Sequence, residues 1–477
     1  MENDNRVATP RTQKTFKQRL MSLAVKPTLR YIDRDPEKNV PKLLDWIIKL
    51  DKTGKYATTQ SLAIKTALQN KTSNWNVLVK NLWNDVDRSI IKKVFENFVI
   101  NSGIIGQTNQ EKIREQYKCN VPWAILMDPT TACNLKCTGC WAAEYGNKLN
   151  LSFDDLDYIV EEGKSIGIYF FLFSGGEPLI RKRDIIRLCE KHNDCVFLAF
   201  TNGTLIDSEF ASSMLRVKNF IPAISVEGFE EETDFRRGGG TFDKVCRAMD
   251  ILKNNKLPFG ISCCYTSKNV ESIGSDAFFD EMIHKGAKFA WFFTYIPIGK
   301  DAVPELMVTP DQREYMYRKI REFRQSKPIF SLDFWNDGEF AGGCIAGGRR
   351  YMHINANGDI EPCAFIHYSD SNIKYKSFIE ALQSPLFMSY KDNQPFDDNL
   401  LKPCPLLDNP DCLISMVKQS EATSTDLQSP EEVEVLCART APVAAKWSIV
   451  ADRIWKDYPP ERLREARNRV EKWKNKN

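Results

Sequence analysis

The sequence predicts an α/β protein built on a parallel sheet, in the form of a partial (β/α)6 barrel of the TIM type. Six short apolar runs alternate with segments in which apolar residues recur every three or four positions. The runs are WAILM (123–127), YFFLF (169–173), VFLAF (196–200), PAISV (222–226), FGISCCY (259–265) and FAWFFTY (289–295). Runs that are apolar throughout are typical of strands buried on both faces. In such barrels functional residues follow the carboxyl ends of the strands, and the motifs described below lie there.

The chain divides by pattern into four predicted regions. Residues 1–118 form an amino-terminal helical region, 119–305 the partial barrel, 306–415 a helix with a cysteine-bearing extension, and 416–477 a helical end. A length of 477 residues allows several domains, and 42% hydrophobic with 27% charged residues is ordinary for a soluble protein. The net charge of +3 argues against a general nucleic-acid-binding protein.

The amino-terminal region is predicted to be helical throughout. Residues 1–35 combine apolar residues at helical spacing with several lysines and arginines. We interpret this stretch as a helix docked on the body of the protein, and contact with an anionic membrane surface is the alternative. Further helices are predicted in LLDWIIKLDK, SLAIKTALQN, WNVLVKNLWNDV and SIIKKVFENFVI. Turn-forming residues predict breaks at 53–54, 71–73 and 101–103.

Cysteine usage and hydropathy predict the compartment. Fourteen cysteines stand beside only four histidines, and the polar start MENDNRVATPRTQK has no secretory pattern. No run approaches the roughly 20 apolar residues that cross a bilayer. So many thiols suit a reducing cytoplasm better than a disulfide framework. We therefore expect a cytoplasmic protein, with peripheral attachment to the inner face of the membrane as the alternative that the amino-terminal helix allows.

Three cysteines follow the first predicted strand with the spacing CxxxCxxC: Cys133, Cys137 and Cys140. Three thiolates from one tight loop suit a [4Fe-4S] cluster and leave its fourth iron without a protein ligand. A structural zinc site, the first alternative, normally has four protein ligands, and no second CxxC or histidine pair follows nearby. An iron with an open position binds a small chelating molecule, so the spacing indicates a reactive cluster.

The stretch CNLKCTGCW (133–141) resembles the signature loop of the radical S-adenosylmethionine (SAM) superfamily. The resemblance implies that the open iron chelates SAM through its amino and carboxylate groups. It implies that an electron from a low-potential donor, such as ferredoxin or flavodoxin, cleaves SAM. The resulting 5′-deoxyadenosyl radical would remove a hydrogen atom from the substrate. The same resemblance implies the partial barrel.

Motifs at the next three strand ends also resemble this family. Ser174-Gly175-Gly176-Glu177 is similar to the GGE motif that holds the amino group of SAM, and glycines allow a ligand to approach the backbone closely. The stretches at 201–203, 225–228 and 237–242 are similar to the family's TNG, SxDG and RGxGTF stretches. The resemblance implies that Asn202 and Ser225 bind the ribose and that Arg237 pairs with the SAM carboxylate. Glu227 stands where relatives often carry Asp.

A second group of cysteines lies in the carboxyl-terminal extension. The segment YMHINANGDIEPC (351–363) predicts a hairpin with its turn at Asn357-Gly358, between Cys344 and Cys363. This segment resembles the hairpin of SPASM and twitch extensions, which hold auxiliary iron–sulfur clusters. The chain lacks the further cysteines of a full SPASM pattern, so a twitch-like extension with one auxiliary cluster is expected. The expected ligands are Cys344, Cys363, Cys404 and Cys412, with Cys437 competing for the fourth position, and a cluster-free domain with buried thiols is the alternative.

Beyond residue 415 the sequence predicts charged helices separated by Pro430, Pro442 and Pro459-Pro460, the last of them solvated. No catalytic acid or base stands out. Radical enzymes with such extensions often modify peptides, so a peptide is the first expected substrate. A membrane lipid or its precursor, joined through a carbon–carbon bond, is the second, because aromatic residues end the sixth predicted strand. A non-catalytic iron–sulfur electron carrier is the alternative from another class.

Overall fold

The computed structural model describes residues 27–28, 30–32, 34–35, 38–42, 45, 65–142, 146, 148–299 and 301–474. Most of the predicted helix in 1–35 and of the helix predicted at 43–52 lies outside these residues, whereas residues 65–69 of the next predicted helix are helical. The strands are β1 (Ala124–Met127), β2 (Phe170–Phe173), β3 (Val196–Thr201), β4 (Phe220–Ser225), β5 (Gly260–Tyr265), β6 (Phe289–Thr294), β7 (Phe330–Asp333), β8 (Tyr351–Ile354), β9 (Ile360–Glu361), β10 (Tyr368–Ser369) and β11 (Thr423–Ser424).

Helices connect and cover these strands. The α-helices are Asn74–Asp85, Arg88–Val94, Gln107–Tyr117, Phe153–Ser165, Lys182–Lys191, Ser208–Val217, Glu230–Arg237, Thr241–Asn254, Val270–Ile273, Asp276–Lys285, Pro310–Ser326, Gly338–Ala341, Phe378–Leu382, Pro385–Asn393, Pro410–Ser420, Val433–Lys456 and Pro460–Lys474. There are also a π-helical segment, Phe95–Gly106, and two short 3₁₀ turns, Pro178–Arg181 and Pro304–Leu306.

Within the described residues, nine strands form one sheet in the order β7-β6-β5-β4-β3-β2-β1-β8-β9. Neighbours from β1 to β7 run parallel. β1 to β6 coincide with the six apolar runs, so the parallel sheet and the partial barrel are confirmed. β7 was not predicted, and it extends the parallel sheet beside β6. The division into four regions stays a prediction.

Each parallel strand sends alternate side chains into two different cores. Ile125 and Phe171 are fully buried on the outer face, under the covering helices. The helix Phe153–Ser165 approaches so closely that a Cβ at Gly163 would lie 2.9 Å from the Phe171 ring. Leu126 and Leu172, the next residues along their strands, belong to a second apolar cluster inside the barrel. The helices fill the outer core, and the inner face surrounds the cavity described below.

The predicted hairpin is confirmed and is part of the barrel sheet. β8 and β9 are antiparallel, and the Gly358 amide donates to the Asn355 carbonyl at 2.9 Å. Gly358 has φ +89°, a conformation that favours glycine. β8 pairs in parallel with β1, with Ala124 opposite Tyr351. The carboxyl-terminal extension is therefore bonded directly to the strand that precedes the cysteine loop.

One of the predicted helix breaks is confirmed and another is wrong. Ser73 caps the helix Asn74–Asp85 by accepting the Asn76 amide, as expected for the break at 71–73. The predicted break at 101–103 instead lies within the π-helical segment. The side-chain amides of Asn97 and Asn101 donate to backbone oxygens of residues 193–195 at 2.7–3.0 Å. These buried bonds hold the segment against the barrel although its sequence is typical of a turn.

The separation predicted at Pro442 is also wrong, because a single helix spans Val433–Lys456. Proline removes one helical hydrogen bond, at a cost of about 3 kcal/mol, but here buried residues on both sides hold the helix in place. The last helix is less solvated than predicted, since Arg462 pairs with buried Glu339 and Trp473 stacks under Arg349. None of the described helices is both long and apolar enough to cross a bilayer.

The two cores predict different effects of the same substitution. Phe171 is fully buried and stacks on Phe197 at 5.8 Å, so Phe171→Ala is expected to lower the free energy of unfolding by about 3–5 kcal/mol. Phe293 borders the inner cavity, so Phe293→Ala is expected to cost clearly less. Urea unfolding followed by circular dichroism measures both, and equal losses would contradict the two-core description.

Candidate active site

The inner face of the barrel surrounds a cavity of about 530 Å³. The cavity extends from the carboxyl ends of the strands to Trp123 and Arg350 at the amino end of β1. It is lined by all the residues that the sequence analysis assigns to the first cluster and to SAM: Cys133, Cys137, Cys140, Gly175, Gly176, Glu177, Asn202, Ser225 and Arg237. The structure thus brings together residues from four different strand ends.

The cysteine loop is held in place by polar side chains of its neighbours. Asn134 donates to Thr204 and accepts from Asn202, both at 2.8 Å. Gly139 has φ +64°, and a Cβ there would lie 2.5 Å from the Tyr295 hydroxyl. The loop therefore needs glycine at this position, and Tyr295 of the β6 end packs directly on it.

The glycine pair after β2 lies against the backbone that leads into the cysteine loop. The amide of Gly176 donates to the Thr130 carbonyl at 3.0 Å, and that of Glu177 donates to the Ala132 carbonyl at 2.8 Å. A Cβ at Gly176 would lie 2.2 Å from the Ala132 oxygen. A side chain at Gly176 is excluded by this contact, and the bare backbone forms part of the cavity wall.

The buried carboxylate of Glu177 braces the site. It accepts from the Thr201 hydroxyl at 2.6 Å and from the Leu179 and Asn202 amides at 2.9 and 2.7 Å. Burial raises the pKa of Glu177, and these hydrogen bonds oppose that rise. The side chain thereby fixes the end of β3, including Asn202, relative to the glycine pair.

Glu227 pairs with two arginines beside the cysteine loop. Its carboxylate is fully buried and lies 2.8 Å from Arg236 Nη1 and 2.9 Å from Arg237 Nε. Arg237 Nη1 lies 4.0 Å from the Cys137 sulfur, and the Arg236 carbonyl accepts the Thr138 amide. Sequence analysis missed Arg236, and the acidic residue before Gly228 was the only sequence signal for a paired arginine. The arrangement holds positive charge next to the thiols.

The donor set fits a [4Fe-4S] cluster with one open iron. Partial burial, together with charge on Glu177, Cys137 and Cys140, raises the pKa of the Cys133 thiol to about 11, so the three thiols lie near one another. In the described part of the chain, no three Cys, His, Asp or Glu residues are grouped as ligands of one metal ion. A cubane binds each thiolate at a different iron, so its ligands stand farther apart than those of one ion.

Comparison with known proteins identifies this site. Residues 127–274 match the family model of the Radical SAM superfamily. Residues 127–274 therefore belong to a radical SAM domain. Its cofactors are accordingly a [4Fe-4S] cluster and SAM, as the cysteine loop predicted.

Relatives in sequence have different activities. The AdoMet-dependent heme synthase of Methanosarcina barkeri is 25% identical over 291 residues, which cover 55% of this chain and 82% of that enzyme. The cysteine-type anaerobic sulfatase-maturating enzyme of Clostridium perfringens is 30% identical over 173 residues. This match covers 32% of this chain and less than half, 46%, of that enzyme. The similarity supports the radical SAM chemistry and does not identify one substrate.

A solved structure supports the fold. SuiB of Streptococcus suis, in its complex with the precursor peptide SuiA, matches with a TM-score of 0.50 and 18% sequence identity. The match covers 62% of this chain and 74% of SuiB. The radical SAM fold is therefore seen both in the sequence family and in the arrangement of strands.

A second, smaller cavity of about 40 Å³ lies in the carboxyl-terminal extension. Cys344, Cys363 and Cys404 line it together with Tyr351 and Tyr390. Tyr351 donates to the Cys363 sulfur at 2.7 Å, whereas the buried Tyr390 hydroxyl has no partner among the described residues. Three thiols and an unpaired hydroxyl at one cavity fit a sulfur-rich group.

The two candidates for a fourth ligand lie in different places. Neither lines this cavity. Cys412, on the helix Pro410–Ser420, is half-buried. Cys437, on the helix Val433–Lys456, is buried in the apolar cluster against which Cys344, Cys363 and Cys404 pack. Burial raises the pKa of Tyr390, and charges on those three thiols and on Cys437 raise it further, which places Tyr390 near all four.

A buried ion-pair chain, which sequence analysis missed, joins the radical SAM domain to the hairpin. His353 lies 2.5 Å from Glu361 through Nδ1 and 3.1 Å from Asp128 through Nε2. Asp128 also accepts from the Ser174 hydroxyl at 2.7 Å. Burial lowers the pKa of His353, but the two carboxylates raise it more, to about 10. In the sequence, the only sign of these ion pairs is a single polar residue beside or within each otherwise apolar segment.

Removal of the His353 side chain tests this junction. His353→Gln leaves two buried carboxylates without their cation and is expected to lower the free energy of unfolding by about 3–5 kcal/mol near neutral pH. A histidine whose pKa rises from 6.5 to about 10 stabilises the fold fully below pH 6.5, and the effect is lost as the pH rises through about 10.

The gap between wild type and variant should therefore narrow between pH 6.5 and 10. Urea unfolding at several pH values measures it. His284→Gln, at an exposed histidine, is the control and should match the wild type throughout. A gap that does not change with pH would show that His353 is uncharged in the folded protein.

Proposed function

We propose that this enzyme cleaves SAM at the cluster site of Cys133, Cys137 and Cys140 and removes a hydrogen atom from an apolar segment of its substrate. The bound cluster and SAM supply the hydrogen-atom abstraction. The protein's residues hold SAM, orient the substrate and keep water away from the reacting atoms. The low-potential electron donor, such as ferredoxin or flavodoxin, remains part of this proposal.

Residues around the cysteine loop are arranged to hold SAM. In this proposal the backbone at Gly175 and Gly176 binds its amino group, while Asn202 and Ser225 face the ribose. Arg237 is already fixed by Glu227 through Nε, and its Nη1 group is left to donate to the SAM carboxylate beside Cys137. Glu177 acts as a brace, because its oxygens are bonded within the protein.

The observation that carries the substrate class is the lining of the large cavity. Aromatic side chains from β2, β3 and β6, together with Trp123 and Phe334, form its walls between the cysteine loop and Arg350. Phe200 packs on Trp291 at 5.0 Å and on Phe293 at 5.5 Å, so these walls are continuous. Such a lining favours an apolar molecule, because buried polar groups need hydrogen-bond partners that aromatic walls do not offer.

We therefore favour a lipid or lipid precursor, with its acyl chain in the cavity and carbon–carbon bond formation as the outcome. A peptide is the second candidate, and the similarity to the cysteine-type sulfatase-maturating enzyme favours it. A peptide would enter the same cavity with an apolar side chain. Its backbone would then stay near the polar residues at the strand ends, where hydrogen-bond partners are available.

We further propose one auxiliary cluster in the extension, on Cys344, Cys363 and Cys404. The unpaired Tyr390 hydroxyl and the shared cavity support it. For the fourth ligand the positions favour Cys437, which is buried near Tyr390, over Cys412, which lies on the half-buried face of another helix. Cys412 was the sequence-based choice because it lies close to Cys404 in the chain.

Product analysis tests the proposed reaction. Anaerobic enzyme with dithionite and SAM is expected to release 5′-deoxyadenosine, and Cys137→Ala is expected to release none. Cys246→Ala, at a cysteine on the barrel's outer helix Thr241–Asn254, is the control and should behave as wild type. With a perdeuterated acyl substrate, mass spectrometry should find deuterium in the 5′-deoxyadenosine. If a labelled peptide transfers deuterium and the labelled acyl substrate does not, the lipid proposal is wrong and the peptide is the substrate.

Iron analysis tests the two clusters separately. Reconstituted wild type is expected to hold about eight irons per chain, and the triple alanine variant at Cys133, Cys137 and Cys140 about half of that. Cys437→Ala should lose the auxiliary iron, whereas Cys412→Ala should keep it. Four irons in the wild type, all lost in the triple variant, would remove the auxiliary cluster. The opposite result for the single variants would restore Cys412 as the ligand.

A further inference from the structure

Arg350 lies at the end of the cavity that is farthest from the cysteine loop. It directly precedes β8, and its carbonyl accepts the amides of Trp123 and Ala124 at 2.8 and 3.0 Å. These bonds fix Arg350 at the amino ends of β1 and β8. Its side chain lines the cavity and is exposed there.

The guanidinium of Arg350 has no hydrogen-bond or ion-pair partner among the described residues. The other arginines at the cavity, Arg236 and Arg237, share the carboxylate of Glu227. Arg313, which is buried elsewhere in the fold, pairs with Asp408 at 2.6 Å. A guanidinium carries five donors in a fixed fork, and those of Arg350 face the cavity without an acceptor from the described residues, so they are available to a ligand there.

The surroundings of Arg350 are cationic. Arg114 and Arg349 lie close enough for its charge to lower their pKa values, to about 10 and about 9, after burial as the larger cause. Arg349 donates to the carbonyls of Cys344 and Ala341, and Arg114 donates to that of Val121, so neither neutralises Arg350. Glu111 acts in the opposite direction on Arg114, whose pKa its charge raises. The local field therefore favours an anion.

A second unpaired donor lies at the same end. The indole N–H of Trp123 is buried and has no partner in the described part of the chain, and the Trp123 ring lines the cavity next to Arg350. The walls that lead from here to the cysteine loop are aromatic and aliphatic, as described above. The cavity therefore has a cation at one end, the reactive site at the other and apolar walls between them. A ligand that matches it is amphipathic.

We propose that Arg350 binds an anionic group of the substrate, a carboxylate or a phosphate, and so directs the apolar part of the molecule toward the cysteine loop. This inference rests on the proposed function and extends it. A strand of four residues spans about 13 Å, so the anionic group and the reacting carbon are separated by roughly that length of apolar chain. The substrate class is then a single-headed anionic amphiphile.

Binding to the reconstituted enzyme tests the proposal. The probes are palmitate, palmitoyl lysophosphatidic acid and neutral monopalmitoylglycerol, each titrated below its critical micelle concentration with SAM present. Wild type is expected to bind an anionic probe more tightly than the neutral one. Arg350→Gln should weaken anionic binding by about 10- to 100-fold, the effect of a hydrogen bond to a charged group, and leave neutral binding unchanged. Arg350→Lys should fall between them.

Two further measurements separate this role from a structural one. Arg350→Gln removes an unpaired charge, so its melting temperature should not fall below that of wild type, whereas loss of a structural arginine would lower it. Arg247→Gln, at an exposed arginine on the helix Thr241–Asn254, is the matched control and should bind every probe as wild type does.

The comparison of the two anionic probes shows whether a carboxylate or a phosphate is preferred, and either preference supports the proposal. Equal binding of anionic and neutral probes, absence of anionic binding, or unchanged binding by Arg350→Gln would overturn it. Release of 5′-deoxyadenosine by the wild type is measured in parallel. If the wild type releases 5′-deoxyadenosine while Arg350→Gln binds the anionic probes as wild type does, the proposed role of Arg350 is wrong and the proposed radical reaction is supported.

Discussion

The structure depends on the alternation of side chains along parallel strands. Because successive residues point to opposite faces, every strand of the barrel contributes to an outer core and to an inner surface at the same time. The outer residues, such as Phe171 and Phe197, are closely packed under helices and hold the barrel together. The inner residues are therefore free to shape a cavity. The strand ends then bring the cysteine loop, the glycine pair and Arg237 to one place.

Much of this arrangement could be predicted from the sequence, because it follows from local patterns. Strands buried on both faces are apolar throughout, and the polar motifs follow immediately after them. β7 could not be predicted, because the polar residues Ser331 and Asp333 alternate with its apolar ones, although both are buried. The helix through Pro442 and the π-helical segment could not be predicted either, since contacts distant in sequence overcome the local preference.

Pairings between charged residues were equally invisible in the sequence. Glu227 was known only as an acidic residue in an unusual place, and its two arginine partners became clear from the fold. His353 lies within the predicted hairpin, but Asp128 is more than 200 positions away. The His353–Asp128 pair is set by the register of β1 against β8, a pairing that local patterns do not determine. The same register brings the hairpin and its cysteines to the radical SAM domain.

The charged residues at the two ends of the cavity differ, so the cavity can orient an asymmetric ligand. At the carboxyl ends, Arg236 and Arg237 share the single carboxylate of Glu227, and the positive charge that remains lies beside the thiols of the cysteine loop, which oppose it when ionised. At the amino end, Arg350 is not balanced by any described residue. Between them lie aromatic walls that offer little to a charged group. A molecule with one anionic end would therefore be stable in only one orientation, with its apolar end beside the cysteine loop. An apolar chain can slide along apolar walls, because no contact there fixes its position. An anionic group bound at a distance fixes that position and so holds one unactivated carbon of the chain beside the radical site.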